Sequence, residues 1–547
     1  MTSTTDPIAV IARAMLDRYR PKPAAQRRWS TPGALATALD PTTVSTPALD
    51  LIDRELVELA DNPAVEKLII SMPPQEGKSV RVSQRFPEWL LTQNKDLRVV
   101  IVSYTDEMAR PHGAQIKRDV EEHNGRDGAI DLDVTLRADS RAAGRWSIDG
   151  HRGSVYCVGV SGSLTSKPVD VLVIDDPLKS LKEAHSHTYR KQLKDFWQGV
   201  CIPRLGPGSK CVVIQTRWHE DDLAGWLQKN EPGQWRVVNI PAQAGKLESI
   251  ALPDGTKTEQ WMHDGVDPLG RQPGEYMVSA RGDRNWDQIK ANVGTYVWSA
   301  LYQGKPSPVE GGLFKRMHLQ AWSPLPRDSS RHGSLHGARV DLSGRVVMLD
   351  DCWRFLTVDL AASERTSADY TVAGVWAVSP NGDLILLDGV RKQIAEADHW
   401  PHISPLRTKW HADTIFVETG MLGTTFVYEA GRKGVPLKGL TADTDKFTRA
   451  IPAAVLAENG RLWLPSDVSI PDIQSWIDEL VSFPNAAHDD VVDMVSYAAR
   501  VKAANWNSQS DMQSLTRAQR PVKNTSISNA FEAATGVQSV DLSTARW

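Results

Sequence analysis

Three consecutive residues near the amino end, Gly77-Lys78-Ser79, are of the types that grip a phosphate. A glycine lets the backbone approach, a lysine neutralises charge, and a hydroxyl holds a metal. They close the stretch KLIISMPPQEGKSV (67–80), where an apolar run leads into a turn. The full phosphate-loop pattern asks for an earlier glycine, and Met72 stands in its place. Alone, the half-pattern reads equally as a strand and an ordinary loop. VDVLVIDDP (169–177) supplies what such a loop needs, with Asp175 and Asp176 at the carboxyl end of an apolar run. Ligands of open parallel sheets bind at that end. In this reading Lys78 neutralises the β/γ-phosphates, Ser79 and Asp175 hold Mg²⁺, and Asp176 activates water. Gln75 is a further nucleotide contact. Gln215, Thr216 and Arg217, in CVVIQTRWHEDDLAGWL, follow another apolar run, where a side chain can sense the γ-phosphate. The bland reading of Thr216 is a turn cap. Glu76 lies inside the cradle and would repel phosphate, so it is expected to face solvent, a neighbouring arginine or a partner subunit.

A second set of residues suits cutting rather than binding. FLTVDLAASERTSADYTVAGVW (355–376) puts Asp359 inside an apolar strand pattern, where an acid is costly unless paired or bound to a metal. TIFVETG repeats this with Glu418, and FPNAAHDDVVDMVSYAAR offers Asp489, Asp490 and Asp493 at a helix start. Acids on two strands and one helix are the arrangement of a two-metal nuclease using Mg²⁺ or Mn²⁺. The helix acids can equally cap the helix or offset its dipole. Lys446 and Arg449, three apart in DKFTRA, are candidates for a DNA backbone or for a solvated helix face.

The elements that must position these residues are legible as short Val/Ile/Leu runs alternating with helical or loop segments, an α/β pattern. TPALDLIDRELVELA (46–60) reads as a helix with Thr46 as cap and Pro47 in its first turn. A second strand series starts at WRFLTVDLA (353–361), after a Ser-, Pro-, Gly- and Arg-rich stretch that reads as an exposed connection. The expected divisions are a lead-in over 1–45, a first domain over 46–310, a linker over 311–350, a second domain over 351–505 and a polar tail over 506–547. A chain of 547 residues needs more than one core. A net charge of −4 confines nucleic-acid contacts to local basic patches. Four scattered cysteines without a CxxC pair argue against a disulfide framework or zinc site. No stretch reads as a signal peptide or membrane span. Arg281-Gly282-Asp283 reads as a turn, His185 and His187 lack further spaced ligands, and the tryptophans read as core anchors.

Taken together, SMPPQEGKS, VDVLVIDDPLKS, VVIQTRWHEDDLAGWL, TVDLAASERTSADYTV, IFVETG, DKFTRA and FPNAAHDDVVDMV, in that order, resemble the large terminase subunit of tailed bacteriophages over roughly residues 45 to 505. The resemblance implies an N-terminal P-loop ATPase of the ASCE type, with a mainly parallel sheet, and a C-terminal RNase H-like nuclease domain. It implies ATP and Mg²⁺ as cofactors, with double-stranded DNA, a small terminase subunit and the procapsid portal as partners. It further implies a homo-oligomeric, pentameric ring acting in the host cytoplasm. The QTRWH segment would be the coupling motif, and Arg145 or Arg152 would complete an ATP site, often that of a neighbouring subunit. The second acid, Asp176, is one methylene shorter than the usual Glu. The competing readings are a helicase- or repair-type ATPase fused to an RNase H-like resolvase, and a DNA-binding assembly protein with vestigial sites.

Overall fold

The computed structural model describes residues 26–516 apart from short stretches at 126–129, 163, 165–167, 252–256, 263–264, 307–311, 361–369, 419–423, 442–443, 467–469, 471, 485 and 487. The chain divides into two compact units: Met1–Asp287 with Val297–Ser307, and Gln288–Tyr296 with Pro308–Trp547.

In the first unit, strands β1 (Lys67–Ser71), β2 (Arg98–Ser103), β3 (Leu136–Ala142), β4 (Arg145–Ile148), β5 (Ser154–Gly159), β6 (Val169–Asp175), β7 (Leu205–Ile214) and β8 (Arg236–Asn239) form one sheet. Their order is β3-β4-β5-β2-β6-β7-β1-β8. The six strands from β5 to β8 in that order are parallel, and only the β3–β4 and β4–β5 pairings are antiparallel. β6 is buried at all seven positions, which explains its unbroken apolar run. β7 lies between β1 and β6 and pairs with both. The phosphate-loop turn, the Asp175-Asp176 pair and the Gln215-Thr216 pair therefore leave the sheet at one edge on neighbouring strands. Thr46 caps the helix Pro47–Asp61 as expected, its side chain accepting from Leu49 N. A separate antiparallel hairpin joins β9 (Lys246–Ala251) and β10 (Lys257–Met262).

The second unit is built on a nine-stranded sheet, ordered β13-β12-β11-β19-β16-β15-β14-β17-β18. Its strands are β11 (Gln320–Leu325), β12 (Arg339–Leu342), β13 (Arg345–Met348), β14 (Trp353–Asp359), β15 (Thr371–Val378), β16 (Leu384–Lys392), β17 (Thr414–Glu418), β18 (Leu437–Leu440) and β19 (Leu462–Pro465). β14, β15 and β16 run antiparallel in succession, while β17 and β18 continue parallel to β14. This antiparallel-then-parallel sheet is the RNase H-like arrangement. The expected class, an α/β P-loop domain with an RNase H-like domain, is borne out.

Strand alternation sorts the second sheet into two faces. Leu356, Val358, Ala373, Val375, Trp400 and Phe426 share one core cluster. Thr357 points the other way, donating from Oγ1 to Met494 O at 2.9 Å in the helix Asp490–Thr516. Asp359 lies two residues beyond Thr357 and so falls on the same face.

One expectation is corrected. The stretch over 311–350 is no bare linker, since β11, β12 and β13 extend the second sheet and bury Trp322, Val340, Leu342 and Val347. Its Ser, Pro and Gly residues make the turns between strands too short to show periodicity. The lead-in contributes the helix Pro32–Leu39, capped by Thr31. The expected tail beyond Thr516 lies outside the described residues.

Candidate nucleotide and metal sites

The phosphate loop leaves β1 with Met72 buried where a glycine would complete the pattern. Gly77 has φ +87°, a conformation that side chains disfavour. Gln75 at φ +65° and Asp176 at φ +39° adopt it without being glycine. Such backbone is held only where its surroundings over-determine it. Here they do. Lys78 Nζ sits 2.9 Å from Asp176 Oδ2 and donates to Thr216 Oγ1 at 2.7 Å. Thr216 N donates to Asp176 Oδ1 at 2.7 Å. Ser79 Oγ donates to Asp175 Oδ1 at 3.0 Å. Thus Lys78, Ser79, Asp175, Asp176 and Thr216, drawn from three chain segments, form one connected cluster.

Burial, then the adjacent Asp176, lifts the Asp175 carboxyl to about 7, against the opposing pull of Lys78, Ser83 and Ser79. A hard cation fits this donor set, since a hydroxyl and two carboxylates in a closely packed site lack a compensating second positive charge. Gln215 Nε2 is buried at the end of β7 without a hydrogen-bond partner among the described residues, while its Oε1 accepts from Ala224 N. Arg217 is committed elsewhere, to Asp222 at 2.9 Å.

Glu76 does not face solvent. It is 1% exposed, and Ser279 Oγ, Ala280 N and Arg284 Nη1 all donate to its carboxylate. Of the three orientations expected for it, the neighbouring arginine is the one observed. A buried acid is tolerable there because its charge is paired and its lone pairs are filled.

Arg145 and Arg152 lie away from this cluster. Arg145 opens β4 and stacks 5.3 Å from the Tyr156 ring. Arg152 precedes β5, its amide donating to Asp96 Oδ1 at 3.0 Å just before β2. That is the amino end of the parallel strands, opposite to the edge carrying Lys78.

In the second unit, Val358 pairs with Val417 in the β14–β17 register, so Asp359 and Glu418 end adjacent strands side by side. Asp490 and Asp493 approach from the first turn of the helix Asp490–Thr516. Burial holds the Asp359 carboxyl well above its ordinary range, with Asp493, Asp490 and Glu418 adding to the rise and Lys446 opposing it. Mutual repulsion of this kind is what a divalent cation relieves, so the residues present fit Mg²⁺ or Mn²⁺. Asp493 is already bridged by cations: Lys446 Nζ lies 2.7 Å from one oxygen and Arg449 Nη2 2.7 Å from the other. Lys446 also reaches Asp489 at 2.5 Å. Burial lowers the Lys446 ammonium pKa, but Asp493 and Asp489 more than offset that and hold it above the lysine range. Both cations expected at a DNA backbone thus sit against the acidic cluster.

Residues 356–500 match the family model described as the terminase RNaseH-like domain. The second unit carries a terminase RNaseH-like domain. Over residues 356–500 this agrees with the terminase resemblance drawn from the sequence motifs. Among solved structures, the large terminase of the thermophilic bacteriophage D6E is similar at 11% identity and TM-score 0.44, covering 84% of this chain and 98% of that one. The large terminase nuclease of thermophilic phage G20c with bound magnesium is similar at 19% identity and TM-score 0.25, covering 35% of this chain and 98% of that one. The large terminase nuclease domain of Thermus phage P74-26 is similar at 19% identity and TM-score 0.22, covering 33% and 90% respectively. No curated protein matches the sequence.

Within the terminase RNaseH-like domain, the sequence reading missed Tyr497, whose hydroxyl donates to Glu418 Oε2. Its spacing, one helical turn beyond Asp493, was the available signal. In the first unit it missed Ser83, which donates to Asp175 Oδ2 at 2.7 Å one turn beyond Ser79. It also missed His112, whose Nε2 lies 3.3 Å from the same oxygen and whose pKa burial lowers. Nothing in the sequence around His112 distinguishes it from a surface histidine.

Proposed function

We propose that this chain is the large subunit of a bacteriophage terminase, hydrolysing ATP to drive double-stranded DNA into a procapsid and cutting concatemeric DNA with its nuclease domain. The observation that carries the reading is the joining of Lys78, Ser79, Asp175, Asp176 and Thr216 into one cluster on a chain that also carries a terminase RNaseH-like domain. Lys78 and the backbone at Gly77 bind the phosphates, Gln75 borders them, and Ser79 with Asp175 would hold Mg²⁺. Asp176 accepts the proton of the attacking water. Thr216 positions Lys78 and, as part of the coupling segment, carries the change in charge toward the helix Leu223–Asn230. In the nuclease domain Asp359, Glu418 and Asp490 would hold Mg²⁺ or Mn²⁺, which polarises the scissile phosphodiester. Asp489 and Asp493 orient Lys446 and Arg449, which would meet the DNA backbone as it enters.

The proposed partners are a small terminase subunit, the portal of the procapsid and four further copies of this chain in a ring in the host cytoplasm. Arg145 or Arg152 would then serve a neighbouring copy's ATP site, since Arg152 lies at the amino end of its own sheet's parallel strands and Arg145 lies on β4, with β5 and β2 between it and β6. The test is a packaging assay with procapsids, ATP and linear DNA, read as protection from added DNase. ATP-dependent protection is expected. Strand separation on forked DNA without protection would replace this reading with the helicase-type one.

A further inference from the structure

The segment Ser279–Arg284 is clamped onto the phosphate loop by Glu76, the acid that the sequence pattern placed inside the cradle. Ser279 Oγ donates to Glu76 Oε1 at 3.0 Å and Ala280 N to Glu76 Oε2 at 2.7 Å. Arg284 Nη1 donates to the same carboxylate at 2.5 Å and to Pro74 O at 3.1 Å. The Arg284 guanidinium is itself held over the Trp286 ring, 4.7 Å from its centroid. These contacts fix the backbone on either side of Arg281, whose own amide donates to Ser279 Oγ at 3.1 Å. Arg281 is exposed, and its Nη1 donates to the side-chain oxygen of Gln75, the exposed positive-φ residue at the crest of the loop.

The charges divide cleanly. Glu76 is neutralised by Arg284 and Lys78 is paired with Asp176. Arg281 has no ion-pair partner among the described residues, so a full positive charge faces the loop with a neutral amide as its contact. Exchanging an amide oxygen for a phosphate oxygen turns a neutral-acceptor hydrogen bond into a charge-assisted pair, roughly twice as strong. Arginine's planar fork suits bidentate contact with phosphate.

We propose that Arg281 is a nucleotide-binding residue that contacts the terminal phosphates of ATP bound at its own subunit's phosphate loop, with Glu76 and Arg284 as the clamp that positions it. The proposal rests on the nucleotide-site reading above and adds to it a positive charge supplied within the subunit, distinct from any arginine given by a neighbour.

The test is calorimetric binding of ATPγS and of ADP, each with Mg²⁺, to the full chain and to its R281A, R281K and K78A variants. R281A is expected to weaken ATPγS binding about tenfold, the size of a lost charge-assisted contact. ADP binding should change less, R281K should recover part of the loss, and the melting temperature should be unchanged because the side chain is exposed. E76Q should weaken ATPγS through the clamp, with a lowered melting temperature. Undiminished ATPγS affinity in R281A, with K78A abolishing binding, would overturn the Arg281 assignment and leave the nucleotide site standing. Wild-type protein that binds neither nucleotide would overturn both.

Discussion

Lys78 Nζ stands 2.9 Å from Asp176 Oδ2 and 2.7 Å from Thr216 Oγ1, so a single ammonium joins the phosphate loop to the ends of β7, which pairs with β1, and of β6 beyond it. Asp176 also accepts from Thr216 N. The carboxylate assigned to activating water is therefore gripped by the residue that must turn to the phosphates. Under the proposed nucleotide reading, binding a triphosphate would free Asp176 in the same event, and Thr216 would carry that event out of the site.

Separate sites predict separable losses. Lys78→Ala should lower ATP turnover by ~100-fold or more, the size expected for removing a charge aimed at the reacting phosphate. Its metal-dependent DNA cleavage should persist. Asp359→Ala should do the reverse, and cleavage surviving in that variant would refute the nuclease site.

Thr216→Val removes the hydroxyl that holds Lys78 while keeping the shape. A lost hydrogen bond to a charged group is worth about 1.5–3 kcal/mol. ATP turnover should fall by roughly one to two orders of magnitude, with DNA cleavage unchanged. Turnover equal to wild type would remove Thr216 from the mechanism.

Asp175 gives the pH dependence its sign. Its carboxyl titrates near 7 in the folded chain because burial and Asp176 disfavour the charge. Cation binding needs the carboxylate, so a proton competes below pH 7 and not above. Affinity for ATPγS with Mg²⁺ should weaken toward tenfold per pH unit below that point and level off above it. The raised value also means that this group's contribution to folding stability falls as pH rises from 3.8 through about 7. Calorimetry at pH 6 and pH 8 checks the binding limb, and equal affinities would show an ordinary carboxylate.

Thr357 ties the nuclease sheet to its helix. Its hydroxyl donates to Met494 O at 2.9 Å and accepts from Trp376 Nε1 at 2.8 Å, with both side chains fully buried. Thr357→Val leaves the indole N–H without its acceptor and should cost about 1–3 kcal/mol. A lowered thermal midpoint for the nuclease domain is the measurement.

Asp489 and Asp493 should part company. Asp493 is buried between Lys446 and Arg449, whereas Asp489 is 45% exposed and among the described residues has Lys446 as its one ion-pair partner. Asp493→Asn leaves Arg449 without its carboxylate and Lys446 with Asp489 as its remaining acidic partner, and should destabilise by ~3 kcal/mol. Asp489→Asn should cost under about 1 kcal/mol. Equal thermal shifts would show that the bridge around Asp493 is not structural.

Much of the site could be read from the chain because its chemistry is local. Gly77-Lys78-Ser79 are contiguous, and Asp175 and Asp176 end a run whose apolar character follows from burial on both faces of the sheet. The strands over 320–348 escaped because they are four to six residues long and separated by polar turns. Glu76 seemed an obstacle because its partners, Ser279, Ala280 and Arg284, lie some two hundred residues away.

The order of residues along the chain determined which groups are present and that the acids follow β-strands, since short-range spacing and burial set both. Tertiary structure decided which groups meet. Parallel strand order placed β7 between β1 and β6, bringing Thr216 to Lys78, and it sent Arg145 and Arg152 to other parts of the sheet. Folding also turned Glu76 inward onto Arg284 and set Lys446 and Arg449 against Asp493. A charge finds its partner through space, and separation along the chain carries no record of that distance until the backbone has folded.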